Sequence, residues 1–315
     1  MSEIQDKIRK EAKKILASGE VAVVIGWKAG SVPFKTTPVF IEKAEDADKL
    51  VWNPGCVNNL AVYLPKLAKD KKVGVVAKPC DVRTIVNLVK EKQIARENVY
   101  IIGLGCDAVV DAGRLDGHGF DLADVTLIEW QDGGLQVTTE SGASAVARGD
   151  VIREQCSVCT QRTPVMSDVT LGEPSALTDV VISGLPELPE ERQRYWSEQF
   201  AKCIRCYACR QVCPNCYCSM CFADRVDQKW TAKKVTADEA WMFHSVRAMH
   251  LAGRCISCGE CSRSCPVGIP VAELMSEMSK RVNELYDYEA GNPDETAEAL
   301  GQFREADIDP AHHSE

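Results

Sequence analysis

The first hundred residues alternate between hydrophobic patterns that are typical of helices and patterns that are typical of buried strands. In residues 3–16, apolar side chains recur at helical spacing along one stripe, which predicts an amphipathic helix. Short apolar, β-branched runs further on predict buried strands. The predicted strands are Val21–Trp27, Val73–Ala77 and Val99–Leu104, and the predicted helices are Leu60–Ala68 and Val82–Lys92. Because strand, helix and strand alternate, the N-terminal part is expected to be an α/β domain with a partly parallel sheet.

A hairpin and a change of composition complete this organisation. Val125–Trp130 and Leu135–Thr139 flank a turn rich in glycine and aspartate, which predicts two antiparallel strands. Prolines near residue 185 mark a boundary, after which helices are predicted at 190–200, at Ala237–Leu251 and from Pro270 to about Tyr286. We therefore expect an α/β domain at 1–185, a small α-rich ferredoxin-like domain at 186–286 and an acidic tail at 287–315, too polar to pack alone.

Composition narrows the class of protein. The chain has 315 residues, 45% of them hydrophobic and 26% charged, which is enough for two globular units. No apolar run reaches the roughly 18 residues that a membrane span needs, and the charged N-terminus does not resemble a secretory signal. The formal net charge of −9 argues against nucleic acid as a partner. These features predict a cytoplasmic protein.

The chain contains 16 cysteines, and their spacing indicates iron–sulfur clusters. In a reducing compartment, closely spaced cysteines indicate metal ligation or redox chemistry before disulfides. A Cys-x2-Cys-x2-Cys-x3-Cys-Pro run occurs twice, and in this run the fourth cysteine ligates the other cluster. One predicted 4Fe-4S cluster therefore has the ligands Cys203, Cys206, Cys209 and Cys265. The second has the ligands Cys255, Cys258, Cys261 and Cys213.

A pair of zinc ribbons is the alternative, because two-residue cysteine spacings also suit tetrahedral zinc. Zinc sites use two such pairs and have no need of a third cysteine followed by Cys-Pro, repeated twice. Iron is therefore the favoured metal, and electron transfer is the expected task of two adjacent clusters.

Four more cysteines lie in the N-terminal half. Cys80 and Cys106 each follow a predicted parallel strand, and Cys156 and Cys159 form a two-residue pair. Ligands in open α/β sheets gather beyond the carboxyl ends of the strands, so two adjacent strands are expected to present the first two thiols to one site. With the later pair, these cysteines predict a third cluster.

The remaining four cysteines suggest a fourth cluster. Cys216, Cys218 and Cys221 follow the first ferredoxin-type run directly, and Cys56 is isolated near the N-terminus. Together they would supply four ligands. The alternative for Cys56 is a small buried hydrophobic residue, which is a common role of free cysteine.

The N-terminal half also resembles a known family. The segments Lys78-Pro-Cys-Asp81, Gly103-Leu-Gly-Cys106, Cys156-x2-Cys159 and Ser167-Asp-Val-Thr-Leu-Gly172 are similar to the beta subunits of deazaflavin coenzyme-reducing hydrogenases and related formate dehydrogenases. The resemblance covers roughly residues 70–175. It implies a 4Fe-4S cluster on the four N-terminal cysteines beside a bound FAD, the flavin converting one-electron transfer into hydride transfer. The positions that it places near the flavin are Lys78, Asp81, Asp168, Thr170 and Gly172.

Two functions follow, with different partners. The first is a flavin-bearing oxidoreductase subunit of an anaerobic complex, in which electrons pass between the clusters and an FAD. The second is an electron-wire and docking subunit without flavin, linking a hydrogenase or formate dehydrogenase module to a heterodisulfide reductase-like module. The resemblance implies these partner classes. A structural or regulatory iron–sulfur protein is a third possibility.

Overall fold

The chain divides into two compact units. The first comprises Met1–Val82 and Ile94–Ser183, and the second comprises Arg83–Gln93 and Gly184–Glu315. The structure is a computed structural model that describes residues 3–32, 34–131, 134–174, 185–186, 188–225, 232 and 234–294. The segment Arg83–Gln93 thus groups with the second unit although it precedes much of the first in sequence.

The strands all belong to the first unit. They are β1 (Val23–Ala29), β2 (Thr36–Ile41), β3 (Val73–Ala77), β4 (Val99–Leu104), β5 (Val125–Gln131), β6 (Gly134–Thr139), β7 (Gly142–Ala147) and β8 (Val169–Leu171). The helices are α1 (Glu3–Ala17), α2 (Leu64–Leu67), α3 (Pro79–Lys90), α4 (Ala112–Gly117), α5 (Arg148–Val151), α6 (Glu154–Ser157), α7 (Pro189–Ala201), α8 (Ala208–Gln211), α9 (Ala237–Leu251), α10 (Glu260–Arg263) and α11 (Val271–Tyr286). Short 3₁₀ helices lie at Ala44–Lys49, Leu60–Tyr63, Arg96–Asn98 and Phe222–Asp224.

The main sheet of the first unit has the strand order β2-β1-β3-β4-β8. Strands β1, β3, β4 and β8 run parallel to one another, and the edge strand β2 pairs antiparallel with β1. Every residue of β3 is buried, which explains its continuous apolar sequence, because a strand covered on both faces has no polar side. The predicted mixed α/β fold with a partly parallel sheet is confirmed.

A separate three-stranded antiparallel sheet follows, with the order β5-β6-β7. The predicted hairpin corresponds to β5 and β6, whose register brings Trp130 opposite Leu135. The turn residues Asp132 and Gly133 lie outside the described residues. The buried side chains of this sheet form a small core with Phe34 and Leu115.

The helix predicted over Leu60–Ala68 is only partly helical. The segment begins as a 3₁₀ turn, and α2 then contributes a single α-helical turn. Pro65 is the reason, because proline has no backbone N–H and is tolerated only in the first turn of an α-helix. A proline in this position therefore starts a new turn instead of continuing the helix.

Helices α7, α9 and α11 build the second unit around one apolar core. Its large members include Trp196, Phe200, Phe243 and Met275. Helix α9 starts at a Thr236 N-cap, whose hydroxyl accepts a hydrogen bond from the backbone N–H of Glu239 at 3.3 Å. The three helices predicted for this region are observed.

The beginning of the acidic tail packs on the second unit, which the sequence did not predict. Tyr288 is 1% exposed, and Arg83 forms an ion pair of 2.8 Å with Glu289. Nη2 of Arg83 also donates to the carbonyl oxygen of Ala290 at 2.6 Å. The buried ring of Tyr288 and the polar contacts of Arg83 thus hold the start of the tail against this unit, although the composition of the tail is acidic. The rest of the predicted tail, 295–315, lies outside the described residues.

Candidate functional site

Two neighbouring strands of the first unit present two of the predicted ligand thiols. Strands β3 and β4 are adjacent and parallel, with Val75 opposite Ile101. Cys80 is the second residue of α3, which begins directly after β3, and Cys106 lies two residues beyond the end of β4. The carboxyl ends of adjacent parallel strands lie at the same sheet edge, and both thiols therefore face the region where open α/β sheets bind ligands.

Arg162 connects the loop of Cys106 to the loop of the later cysteine pair. Its Nη2 donates to the carbonyl oxygen of Cys156 at 2.9 Å, and its own carbonyl oxygen accepts from the backbone N–H of Cys106 at 3.0 Å. Burial raises the pKa of the Cys106 thiol to about 12, and the nearby thiols of Cys156 and Cys159 add to the rise. The structure therefore brings these three thiols together.

Lys78 places a buried positive charge beside the same group. Its Nζ lies 3.1 Å from the carboxylate of Asp81 and 4.2 Å from the ring centroid of Trp27. Burial alone would lower the pKa of Lys78, but Asp81 and the thiols of Cys80 and Cys106 raise it. A nearby cation stabilises thiolates that hold an anionic iron–sulfur cluster. Lys78 supplies this positive charge, so the residues present fit such a cluster.

Lys78 and Asp81, which the resemblance placed near a flavin, are 2% and 0% exposed and are engaged with each other. The carboxylate of Asp81 also accepts from the backbone N–H of Lys78 at 2.8 Å and of Leu60 at 3.2 Å. In this structure the pair fixes the first turn of α3 and hence the backbone of Cys80.

The other resemblance-derived positions lie on or next to the short edge strand β8. Asp168 accepts from the backbone N–H of Ile101 at 2.7 Å and from Nη2 of Arg96 at 2.9 Å, which attaches β8 to β4. Gly172 has φ of +75°, and a Cβ there would lie 2.7 Å from Ile4. Thr170 is exposed. Its hydroxyl lies 2.7 Å from Oγ of Ser167, so all three positions have structural contacts of their own, and Asp168 and Thr170 are also exposed.

The two ferredoxin-type runs of the second unit have the same loop geometry. Arg205 and Ser257 occupy equivalent positions and have φ of +52° and +56°. This left-handed conformation turns their backbone N–H groups toward the preceding thiols: Arg205 donates to Cys203 Sγ at 3.3 Å, and Ser257 donates to Cys255 Sγ at 3.4 Å. Backbone donors aimed at sulfur stabilise a thiolate, so both loops are suited to hold metal-bound sulfur.

The first thiol set of the second unit includes a cysteine from the second run. Burial raises the pKa of the Cys209 thiol to about 11. The thiols that add to this rise are those of Cys203, Cys206 and Cys265. The backbone N–H of Ile269 donates to Cys265 Sγ at 3.3 Å. Cys265 therefore lies with the first run, as the spacing predicts.

The second thiol set includes a cysteine from the first run. Burial raises the pKa of the Cys261 thiol to about 12, and the thiols of Cys255 and Cys213 add to the rise. Burial also raises the pKa of Cys258, again with contributions from Cys213 and Cys255. The structure thus places Cys213 among the three cysteines of the second run.

Arg247, in the middle of α9, lies beside both sets. Burial alone would lower the pKa of its guanidinium, but four thiols raise it, those of Cys213, Cys216, Cys261 and Cys209. Arg247 is 3% exposed, and its Nε and Nη1 have no hydrogen-bond partner in the described part of the chain. Sequence reasoning missed this residue. The sequence feature that could have revealed it is its spacing, four residues after Phe243 and four before Leu251. A charged residue on an apolar helical stripe is unusual.

The cysteine run after Cys213 forms a third group in the second unit. Cys216, Cys218 and Cys221 line one cavity of about 470 Å³. A hydrogen bond from Cys216 lowers the pKa of Cys213 to about 6 and raises that of Cys216. Among the described side chains, no three His, Cys, Asp or Glu residues converge on the position of a single metal ion.

Cys56 has different surroundings from the other cysteines. It belongs to the first unit and is fully buried. Its sulfur accepts from the backbone N–H of Asn53 at 3.5 Å and donates to the carbonyl oxygen of Val51 at 3.8 Å. Burial raises the pKa of this thiol to about 11. These contacts favour the small buried hydrophobic residue over the ligand that the sequence leaves open.

Comparison with known proteins finds two regions of the chain that match models of redox families. Residues 70–188 match the family model for the C-terminal region of the coenzyme F420 hydrogenase/dehydrogenase beta subunit. Residues 215–270 match the 4Fe-4S dicluster domain, a range that includes Cys216, Cys218 and Cys221 but begins after Cys213. The chain thus combines a region that matches the F420 hydrogenase/dehydrogenase beta-subunit model with a region that matches the 4Fe-4S dicluster domain.

Its curated relatives are beta subunits. The F420-dependent formate dehydrogenase subunit beta of Methanocaldococcus jannaschii is 24% identical, over 89% of this chain and 89% of the relative. The F420-dependent formate dehydrogenase 1 subunit beta of Methanococcus maripaludis is 27% identical, over 92% and 91%. Across these ranges the chain is similar to an electron-transfer subunit of a dehydrogenase.

A weaker similarity exists to a solved structure, the xenon-derivatised F420-reducing [NiFe] hydrogenase complex of Methanosarcina barkeri. One of its chains is 22% identical with a TM-score of 0.42, over 51% of this chain and 62% of that chain. No helix in the described ranges is long and apolar enough to span a membrane.

Proposed function

We propose that this chain is the iron–sulfur electron-transfer beta subunit of a formate dehydrogenase or hydrogenase complex, passing electrons between 4Fe-4S clusters and an FAD. The observation that supports the proposal is that the Cys265 thiol adds to the raised pKa of Cys209 and the Cys213 thiol to that of Cys261, which favours an exchange of these two cysteines between the ferredoxin-type runs. Such an exchange interlocks two clusters in one small unit, which suits the transfer of electrons from one to the other.

Three clusters are part of this proposal. Two lie in the second unit, with the ligand sets Cys203, Cys206, Cys209 and Cys265, and Cys255, Cys258, Cys261 and Cys213. The third lies in the first unit, with the ligands Cys80, Cys106, Cys156 and Cys159. The residues around them offset the negative charge: Arg247 lies beside the thiols of the first two sets, and Lys78 lies beside Cys80 and Cys106.

The FAD is supported by the chemistry of the relatives. Their names describe F420-dependent enzymes, and a deazaflavin coenzyme carries a hydride, whereas each cluster accepts one electron at a time. A bound flavin supplies the conversion between one-electron and hydride transfer. In this chain Thr170, exposed on β8, is a candidate contact for the flavin.

The proposed partners are a catalytic subunit that oxidises formate or hydrogen and a heterodisulfide reductase-like subunit. The names of the relatives support the first class. The second class rests on the family resemblance of the N-terminal half.

The test is the cofactor content of the full chain purified without oxygen. The proposal predicts at least about twelve iron atoms, which its three clusters contain, with matching sulfide, and about one FAD released by acid. A colourless preparation that carries zinc in place of iron would overturn the proposal.

A second candidate function, an electron-wire and docking subunit without flavin, is favoured by one observation. Lys78 and Asp81, which the resemblance places near a flavin, are buried in an ion pair with each other. The two candidates differ in one measurement, which is FAD binding after reconstitution of the cluster-loaded chain with excess FAD. Bound flavin supports the first candidate, and its absence supports the second.

A further inference from the structure

One cavity of the second unit is lined by cysteines that the two ferredoxin-type sets do not use. Cys216, Cys218 and Cys221 face this cavity, whose volume is about 470 Å³. None of the three forms a disulfide. Cys218 is exposed and the other two are partly buried, so the group lies at the surface of the unit. Three thiols that converge on one cavity are a ligand set without a ligand assigned to it.

Arg210, Arg247 and Arg254 line the same cavity, together with Asp224. Arg210 is paired with Asp224 and Arg254 with Glu91, each at 2.8 Å. Arg210 forms a hydrogen bond with the thiol of Cys221, and Arg247 keeps two buried donors without a hydrogen-bond partner in the described ranges. Burying an ionic donor without a partner is costly, so this arrangement fits a bound anionic group.

The arrangement of the thiols favours one of the two metal chemistries that thiolates select. A structural zinc ion needs four ligands at about 2.0–2.3 Å around a single point. Among the described side chains no three His, Cys, Asp or Glu residues are placed to hold one metal ion, whereas the three thiols line one cavity. Thiolates also bind iron–sulfur clusters, and a cluster carries a negative charge that Arg247 complements.

We propose that Cys216, Cys218 and Cys221 hold an additional iron–sulfur cluster in the second unit, bound by three thiolates and facing the arginine-lined cavity. The 4Fe-4S dicluster match covers this run. Only two residues separate Cys216 from Cys213, so the additional cluster is next to the set that contains Cys213. This site goes beyond the three clusters of the proposed function, and Cys56 has no part in it.

The first experiment compares iron content in full-length variants reconstituted without oxygen. The double variant Cys218→Ser and Cys221→Ser leaves Cys216, and with it the contact to Cys213, intact. It is expected to lose about three iron per chain relative to the wild type, or about four if a non-protein ligand completes the cluster, together with about four sulfide. The paramagnetic resonance signal of the coupled ferredoxin-type pair is expected to persist.

Cys56→Ser is the matched control and is expected to keep the wild-type iron content. Unchanged iron in the double variant would overturn the additional cluster, as would a loss of zinc in place of iron. Because the coupled pair is monitored separately, either result would leave the three-cluster proposal standing.

A second measurement needs no variant. Cys218 is exposed in the polypeptide, so without a bound cluster it should be alkylated rapidly by iodoacetamide. In the native, cluster-loaded chain we expect Cys218 and Cys221 to be protected, and to react only after iron is removed by a chelator. Peptide mass spectrometry reads both sites. Rapid alkylation of both cysteines in a chain that retains its iron would contradict the proposal.

Discussion

Nη2 of Arg247 in α9 donates a hydrogen bond to the carbonyl oxygen of Cys209 in α8, with the two atoms 3.2 Å apart. The same guanidinium lies beside the thiols of Cys213 and Cys261, which belong to the second ligand set. A single buried arginine therefore bears on both proposed ferredoxin-type clusters. It is well placed to influence their reduction potentials, because each cluster gains a negative charge on reduction.

We expect Arg247→Met to lower the reduction potentials of both clusters, since it removes the positive charge that stabilises their reduced forms. Arg247→Lys should shift them less. The measurement is a redox titration of the cluster-loaded chain followed by paramagnetic resonance. Arg281→Met, at an exposed position on α11, is the control and should not shift them. Potentials that are the same in Arg247→Met and in the wild type would contradict the assigned role.

The crossing of Cys213 and Cys265 is tested by pairs of substitutions. If Cys206 and Cys265 bind the same cluster, the double variant Cys206→Ser and Cys265→Ser should lose about four iron atoms and keep the other cluster. The double variant Cys206→Ser and Cys213→Ser should damage both clusters and lose about eight. The opposite order of iron loss would show that each run binds its own fourth cysteine.

The buried pair of Lys78 and Asp81 should contribute strongly to the stability of the first unit. Lys78→Met leaves the carboxylate of Asp81 buried without its cation, which typically costs about 3–5 kcal/mol of unfolding free energy. The measurement is denaturant-induced unfolding of the full chain, followed by the total tryptophan fluorescence, to which Trp27 beside the Lys78 ammonium contributes.

The control for this prediction is Lys49→Met, which removes an exposed ion pair with Asp46 and should cost about 1 kcal/mol or less. A loss in Lys78→Met no larger than that of the control would show that the buried pair is dispensable. We also expect Lys78→Met to reduce occupancy of the first-unit cluster, because Lys78 lies beside Cys80 and Cys106.

His244 should make the second unit sensitive to mild acid. Burial lowers the pKa of this imidazole to about 4, and the charge of Arg247 adds to the effect. In the unfolded chain the pKa of histidine is about 6.5, so below that pH the unfolded state binds the proton and the folded state does not. Stability therefore falls as the pH drops from about 6.5 toward about 4, by roughly 2 kcal/mol between pH 7 and pH 5.

His244→Phe should flatten this dependence, because phenylalanine keeps the stacking on Phe200, whose ring centroid lies 4.5 Å from that of His244. The measurement is the thermal midpoint of the cluster-loaded chain at pH 7 and pH 5. His118→Asn, at an exposed histidine, should retain the wild-type slope. Equal slopes in all three proteins would exclude His244 as the source.

Several elements and the grouping of the ferredoxin-type cysteines were predictable from local patterns. Strands β3 and β4 are continuous apolar runs, and the two cysteine runs repeat at fixed spacing. The start of α3 was harder to predict from the sequence, because the helix begins at Pro79 and not at Val82. Proline suits the first turn of a helix, and the Asp81 carboxylate accepts from the backbone N–H of Lys78, which adds helical residues before the apolar stripe starts.

Local patterns specify which thiols are available and their order along the chain, because ligand spacing and strand hydrophobicity are properties of short segments. The three-dimensional packing is needed to show that Cys56 is enclosed in a hydrogen-bonded turn, that Lys78 faces Asp81, and that Arg247 lies beside two ligand sets. These outcomes depend on which residues distant in sequence surround each side chain. Burial and electrostatic surroundings are set by such neighbours, and one chain segment does not contain that information.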